Sequence, residues 1–266
     1  MKLDLISSPL LTDLYQLTML QGYLDKGMTG KAVFDFFVRN LPPERGFLVA
    51  CGLETLLACL ESMRFQDDEI DYLVGAGRFS GRLIDYLRGF RFSGDVYALP
   101  EGTVFFAQEP VVRIVAPLPM AQFIETRLIN ILQYEILIAS KATRCFLAAD
   151  DRAILVDFGL RRAHGAEAGL LAARASYIAG FRGTSTVIAE PLLGIPGNGT
   201  MAHSFIQAHH SELDAFINFC RSNPGNTTLL IDTYDTLTGA ARAVTAASLL
   251  TREGIRVNAV RLDSGD

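Results

Sequence analysis

From residue 153 onward, short apolar stretches alternate with helical patterns at intervals of about thirty residues, the spacing of βα units. The stretches AILVDFG (153–159), TSTVIAEP (184–191), TTLLIDTYD (227–235) and VNAVRLDSGD (257–266) read as strands. AEAGLLAARASYIAG (166–180), MAHSFIQAHH (201–210), ELDAFINFCRS (212–222) and TGAARAVTAASLLTREG (238–254) read as helices. Strands that recur this way pair in parallel, because the intervening helix carries the chain back to the same end of the sheet. The pattern therefore restricts the fold to a barrel or a doubly wound sheet. Each strand is apolar until its C-terminal end, where Asp157, then Asp232 and Asp235, then Arg261 and Asp263 appear. Side chains at that end line the active sites of parallel barrels. Thr184 to Thr186 are the weak member, since they open their strand. The chain stops at LDSGD, where the next helix should start, so we expect a truncated, unclosed barrel.

The first half has a different texture. Residues 8–28 carry helical periodicity ending at Gly27, and KAVFDFFVRNLP (31–42) reads as a strand halted by Pro42 and Pro43. GFLVACGLETLLACLESM (46–63) and DDEIDYLVGAG (67–77) read as helices. Residues 92–118, dense in β-branched residues, glycine and proline, read as a small antiparallel unit, and 121–149 as one long amphipathic helix.

Composition matters here for what it excludes. The net charge of −5 supplies no general basic field for nucleic acid or a membrane surface. FLVACGLETLLACL is too short to span a bilayer and is interrupted by Glu54. The N-terminus lacks the pattern of a signal peptide, so the expected address is the cytoplasm. Cys51, Cys59, Cys145 and Cys220 form no CxxC pair and no zinc spacing, and read as buried thiols.

Three segments carry chemistry. DFGLRRAHG (157–165) places Arg161 and Arg162 at a strand exit, where guanidinium groups can clamp phosphate or pair with acids on a solvated helix start. LDSGD can hold ribose hydroxyls or a hydrated magnesium ion, or form an Asx turn. GIPGNGTMAHSF (194–205) sets His203 at a helix start behind three glycines and a proline, a position suited to anions. No one of these decides a function. At successive strand ends they describe a polyanion pocket, which implies a phosphorylated sugar substrate.

The segments LLTDLYQLTM, FDFFVRNLP, GFLVACGLE, PEGTVFF, ETRLINIL, DFGLRRAHG, GTMAHSF, IDTYDT and RLDSGD, in that order, closely resemble the nicotinate phosphoribosyltransferases. The resemblance covers essentially the whole chain. It implies an α/β architecture with an α+β N-terminal domain (1–120), followed by an incomplete irregular (β/α) barrel domain (121–266). It also implies an enzyme joining nicotinate to 5-phosphoribosyl 1-diphosphate, coupled to ATP hydrolysis, with Mg²⁺, in a homodimer whose subunits share an active site. By this resemblance His203 matches the family's phosphohistidine. Tyr15, supplied by the neighbouring subunit, and Phe158 match the aromatics that sandwich the pyridine ring. Thr200 and Arg261 match nicotinate contacts, Arg161 and Arg162 the phosphate-binding region, and Asp232 and Asp263 groups near the ribose and diphosphate. Ser185 stands where the nicotinamide enzyme carries an aspartate that would repel a carboxylate, which favours nicotinate. The rival expectation is a catalytically inactive or split fragment that needs a complementing chain.

Overall fold

The computed structural model describes residues 8–41, 43–150 and 152–264; Pro42 and the Gly265–Asp266 end of LDSGD lie outside them. The chain divides into two compact units, 1–197 and 198–266.

The first unit is α+β. In order it contains α1 (Leu14–Asp25), β1 (Lys31–Phe36), β2 (Leu48–Val49), α2 (Leu53–Ser62), α3 (Asp67–Gly75), α4 (Gly81–Arg88), β3 (Asp95–Ala98), β4 (Val104–Phe105) and β5 (Val112–Pro117). Then come α5 (Leu118–Phe123), α6 (Glu125–Ala149), α7 (Ala166–Ile178) and α8 (Ala189–Leu193). β1, β5 and β3 form an antiparallel sheet in that order, with Phe34 opposite Ile114 and Ile114 opposite Val96. Alternation along β5 sends Val112, Ile114 and Ala116 inward and Arg113 outward, where Arg113 pairs with Asp35. Under the sheet, Leu20, Leu83, Leu87, Phe90 and Phe105 are almost fully buried, each contributing roughly 1.5–3 kcal/mol of transfer free energy.

Four sequence expectations change in this unit. α1 starts at Leu14, not near residue 8, because Ser8 to Thr12 make turns, including one closed by the Leu11 N–H on the Ser8 carbonyl. Residues 46–63 are not one helix. Leu48 and Val49 pair with Phe105 and Val104, Gly52 turns the chain at φ +97°, and only then does α2 begin. The long helix is broken at Ile124 into α5 and α6. Residues 153–159 and 184–191 form no extended ladder. Three backbone bonds join them in parallel (Arg182 N–H to Leu155 O, Asp157 N–H to Gly183 O, Ser185 N–H to Asp157 O), and the second segment turns into α8 at Ala189. A single parallel bridge links Thr184 to Gly197, beside Pro196, which has no N–H to extend the pairing.

The second unit contains α9 (His203–Gln207), α10 (Glu212–Ser222), β6 (Thr228–Leu230), α11 (Thr236–Thr251) and β7 (Ala259–Arg261). β6 and β7 run parallel, with Leu229 beside Val260, as the alternation of strands and helices requires. Phe216, Cys220, Leu229, Leu230, Ala246 and Leu250 form its core. The two units together give an α+β N-terminal region followed by a strand–helix region in which no barrel closes among the described residues. No described helix is long and apolar enough to cross a membrane. Of the cysteines, Cys51 and Cys220 are buried as expected, Cys59 is partly buried and Cys145 is exposed.

Candidate active site

Because β6 and β7 are parallel, their C-terminal ends emerge at the same edge, and the polar residues at both ends meet there. Asp232 follows β6. Its Oδ2 accepts the backbone N–H groups of Asp263 (2.6 Å) and Ser264 (2.7 Å) and the Ser264 hydroxyl (3.0 Å). Burial alone would raise this carboxyl, but the three donors outweigh it and hold it below the ordinary aspartate range. Asp232 Oδ1 is buried and takes no hydrogen bond.

Arg261 ends β7. Its Nη1 donates to Thr200 Oγ1 (2.9 Å) and to the Met201 carbonyl (3.2 Å), and its Nη2 pairs with Asp263 Oδ1. The other Asp263 oxygen lies 3.5 Å from His203 Nε2, and His203 Nδ1 lies 3.2 Å from Thr233 Oγ1. Thr200, Asp232, Arg261 and Asp263 therefore form one hydrogen-bonded set, and His203 stands against it through its 3.5 Å approach to Asp263. α9 has only five residues, so its dipole is short and His203 is oriented mainly by Thr233 and Asp263. Thr233 and Ser264 were not singled out from the sequence, although IDTYDT and LDSGD contain them at polar strand ends.

The other expected site residues lie in the first unit. Tyr15 is the second residue of α1 and is about half exposed. Phe158, 48% exposed, precedes a single 3₁₀ turn (Leu160–Arg162) that carries the exposed Arg161 and Arg162. Ser185 is half-buried on the segment bonded to Asp157.

The first unit also holds a buried ionic cluster that the sequence did not reveal. Arg174 Nη1 donates to Glu101 and Glu135 (both 2.9 Å), and its Nη2 to Glu101 (2.6 Å) and Glu54 (2.7 Å). Glu101 also accepts the N–H groups of Gly52 and Leu53, capping α2 from outside the helix. Burial acts to raise Glu101, but Arg174 and the two N–H groups bring it below the usual range. Burial dominates at the fully enclosed Glu135 and pushes it up despite Arg174. Donor atoms of Cys51, Glu101 and Glu135 lie within 4.8 Å of one another, as metal ligands would. The guanidinium already bonds their carboxylates, and burial first, then the neighbouring acids, raise the Cys51 thiol far from thiolate formation. The cluster is an Arg–Glu network and fits no metal.

Residues 10–133 match the model of the nicotinate phosphoribosyltransferase (NAPRTase) N-terminal domain, and 154–266 that of the nicotinate phosphoribosyltransferase (NAPRTase) family. The chain is 49% identical over 257 residues to nicotinate phosphoribosyltransferase pncB2 of Mycobacterium tuberculosis, covering 97% of this chain and 55% of that one. It is 42% identical to nicotinate phosphoribosyltransferase of Bacillus subtilis, covering 96% and 52%. In structure it is similar to human nicotinic acid phosphoribosyltransferase (TM-score 0.89, 30% identity, 96% of this chain and 61% of that one). It is also similar to a nicotinate-nucleotide pyrophosphorylase from Pyrococcus furiosus (TM-score 0.77, 27% identity, 100% and 59%). The chain thus spans about half the length of the curated relatives it matches. Two family models that match residues 10–133 and 154–266, and a fold shared with a solved relative, make this chain a member of the nicotinate phosphoribosyltransferase family.

Proposed function

We propose that the protein joins nicotinate to the ribosyl carbon of 5-phosphoribosyl 1-diphosphate, releasing nicotinate mononucleotide and diphosphate, with ATP hydrolysis coupled through His203. The observation that carries this reading is the bonded set Thr200–Arg261–Asp263, with His203 facing Asp263, at the ends of two parallel strands, in a chain of this family.

In this reading the flat pyridine ring is stacked between Phe158 and a Tyr15 contributed by the second subunit of a homodimer. Thr200 and Arg261 orient its carboxylate, Arg261 being braced by Asp263. A serine at 185 leaves that carboxylate unopposed, where an aspartate would repel it and favour the amide. Arg161 and Arg162, on an exposed turn, offer guanidinium groups to the phosphates of the sugar substrate. His203, whose Nδ1 lies 3.2 Å from the Thr233 hydroxyl and whose Nε2 lies 3.5 Å from Asp263, takes the γ-phosphoryl group of ATP on a ring nitrogen as ADP leaves. Asp232 and Asp263 stand by the ribose and diphosphate of the sugar substrate, where magnesium would supply neutralising charge to the departing diphosphate. The domain division at residue 120/121 and a cytoplasmic address belong to this proposal.

Labelled ATP tests it. With γ-labelled ATP, the intact protein is expected to carry acid-labile label on His203, and a His203→Ala variant none. Label retained by that variant, or found on another residue, would exclude the histidine's role.

A further inference from the structure

Phe158 and Ser185 lie on different segments, yet a small polar knot ties the two segments together. Asp157 Oδ1 accepts the Gly159 N–H at 2.9 Å, and Oδ2 accepts the Thr184 hydroxyl at 2.8 Å. Thr184 is fully buried, and its Oγ1 also accepts the Thr186 N–H at 3.1 Å. The backbone completes the tie: Asp157 N–H to Gly183 O at 2.9 Å, Ser185 N–H to Asp157 O at 2.8 Å, and Thr184 N–H to Pro196 O at 3.1 Å.

The neighbouring residues are shaped to this arrangement. A Cβ on Gly159 would sit 2.9 Å from Asp157 Oδ1, so a side chain there would displace the carboxylate. A Cβ on Gly169 would lie 2.4 Å from Leu160 Cδ1, so the turn that follows Phe158 rests directly on α7. The Phe158–Arg162 loop, half exposed and seated on α7, is thereby also held to the segment carrying Ser185.

We infer that Asp157 and Thr184 are positioning residues that set Phe158 and Ser185 as one rigid unit, so that ring stacking and the choice of nicotinate over nicotinamide depend on the Thr184 hydroxyl. The inference rests on the functional reading above. Neither side chain touches substrate in it; both act through the loop. Replacing Thr184 by valine keeps the shape but leaves an Asp157 oxygen and the buried Thr186 N–H without partners, whereas serine keeps both bonds.

Two measurements on the intact protein test this. In Thr184→Val and Asp157→Ala, amide exchange across 157–162 and across 184–187 is expected to quicken together, by about tenfold or more. Steady-state kinetics of Thr184→Val are expected to show a nicotinate KM about tenfold higher, with kcat within about threefold and the nicotinate-to-nicotinamide preference reduced. This pattern belongs to lost orientation of a bound ring; a purely structural loss would lower the amount of active protein and leave KM and the preference alone. Thr184→Ser is expected to restore both readouts. Unchanged exchange in the two variants overturns the clamp. Quickened exchange with unchanged KM and preference overturns its role in substrate placement, as does a serine variant that behaves like valine. A wild-type protein that makes no product refutes the functional reading and the substrate part of this inference, while the exchange data still decide whether the clamp exists.

Discussion

Gly239 stands one turn into α11, where a Cβ would lie 2.0 Å from the Ile231 carbonyl oxygen and 2.9 Å from its carbon. Backbone atoms cannot yield as a flexible side chain can, so α11 packs on the end of β6 only because residue 239 lacks a side chain. A Gly239→Ala substitution is expected to destabilise the protein by about 3 kcal/mol or more, through overpacking against backbone, read as a lower urea midpoint. The contact precedes Asp232 by one residue, so the same change is expected to disturb the carboxylate that gathers Asp263 and Ser264. At this scale the sequence was partly legible. His203, Arg261, Asp232 and Asp263 could be proposed from motif and position. Thr233 could not, because a threonine at a strand end is common and only the fold shows that it faces the imidazole. Gly239 was equally silent, since a glycine in a helical pattern does not announce what lies against it.

Elements show the same division between local and distant causes. α10 and α11 declare themselves through apolar periodicity and caps at Ser211 and Asp235 that lie next to the helices they start. α2 hides its start, because its cap is Glu101, nearly fifty residues away, and because an apolar run such as FLVAC fits a strand or a helix equally well. α4, opened by Ser80 accepting the Leu83 N–H, carries its signal locally and was nonetheless missed. The segments around Asp157 and Thr184 look like strands by composition, and their pairing is parallel as expected. It stops after three bonds because Gly159 and α8 redirect the chain. Arg174, in the middle of α7, ties that helix to α6 through Glu135 and to the start of α2 through Glu54 and Glu101. Arg174→Met would leave buried carboxylates unpaired and is expected to cost about 3–5 kcal/mol in denaturant unfolding. Glu135 makes a pH-dependent prediction. Burial raises its folded pKa, so its proton favours folding below the unfolded value of about 4.3, and that contribution is lost as pH rises through the folded pKa. Glu101 has the opposite sign: lowered by Arg174 and the α2 N–H groups, it stabilises above the unfolded value and loses that as pH falls through the folded one. The stability of Glu135→Gln relative to wild type is therefore expected to improve as pH increases through this range. A difference that is flat with pH would show that Glu135 titrates alike in the folded and unfolded chains.

For the whole molecule, the chain presents two compact units, each bearing part of the expected site. The first carries an aromatic–arginine loop clamped to the Ser185 segment, the second a histidine facing Asp263, the carboxylate that also pairs with Arg261. Family membership rests on both halves, since the two family models match residues 10–133 and 154–266. Product formation tests the proposed reaction. The intact protein is supplied with 5-phosphoribosyl 1-diphosphate, ATP, Mg²⁺ and either nicotinate or nicotinamide, and the mononucleotides are resolved by mass. Nicotinate mononucleotide is expected, formed well in excess of the amide product. No mononucleotide, or nicotinamide mononucleotide as the main product, would overturn the proposed reaction.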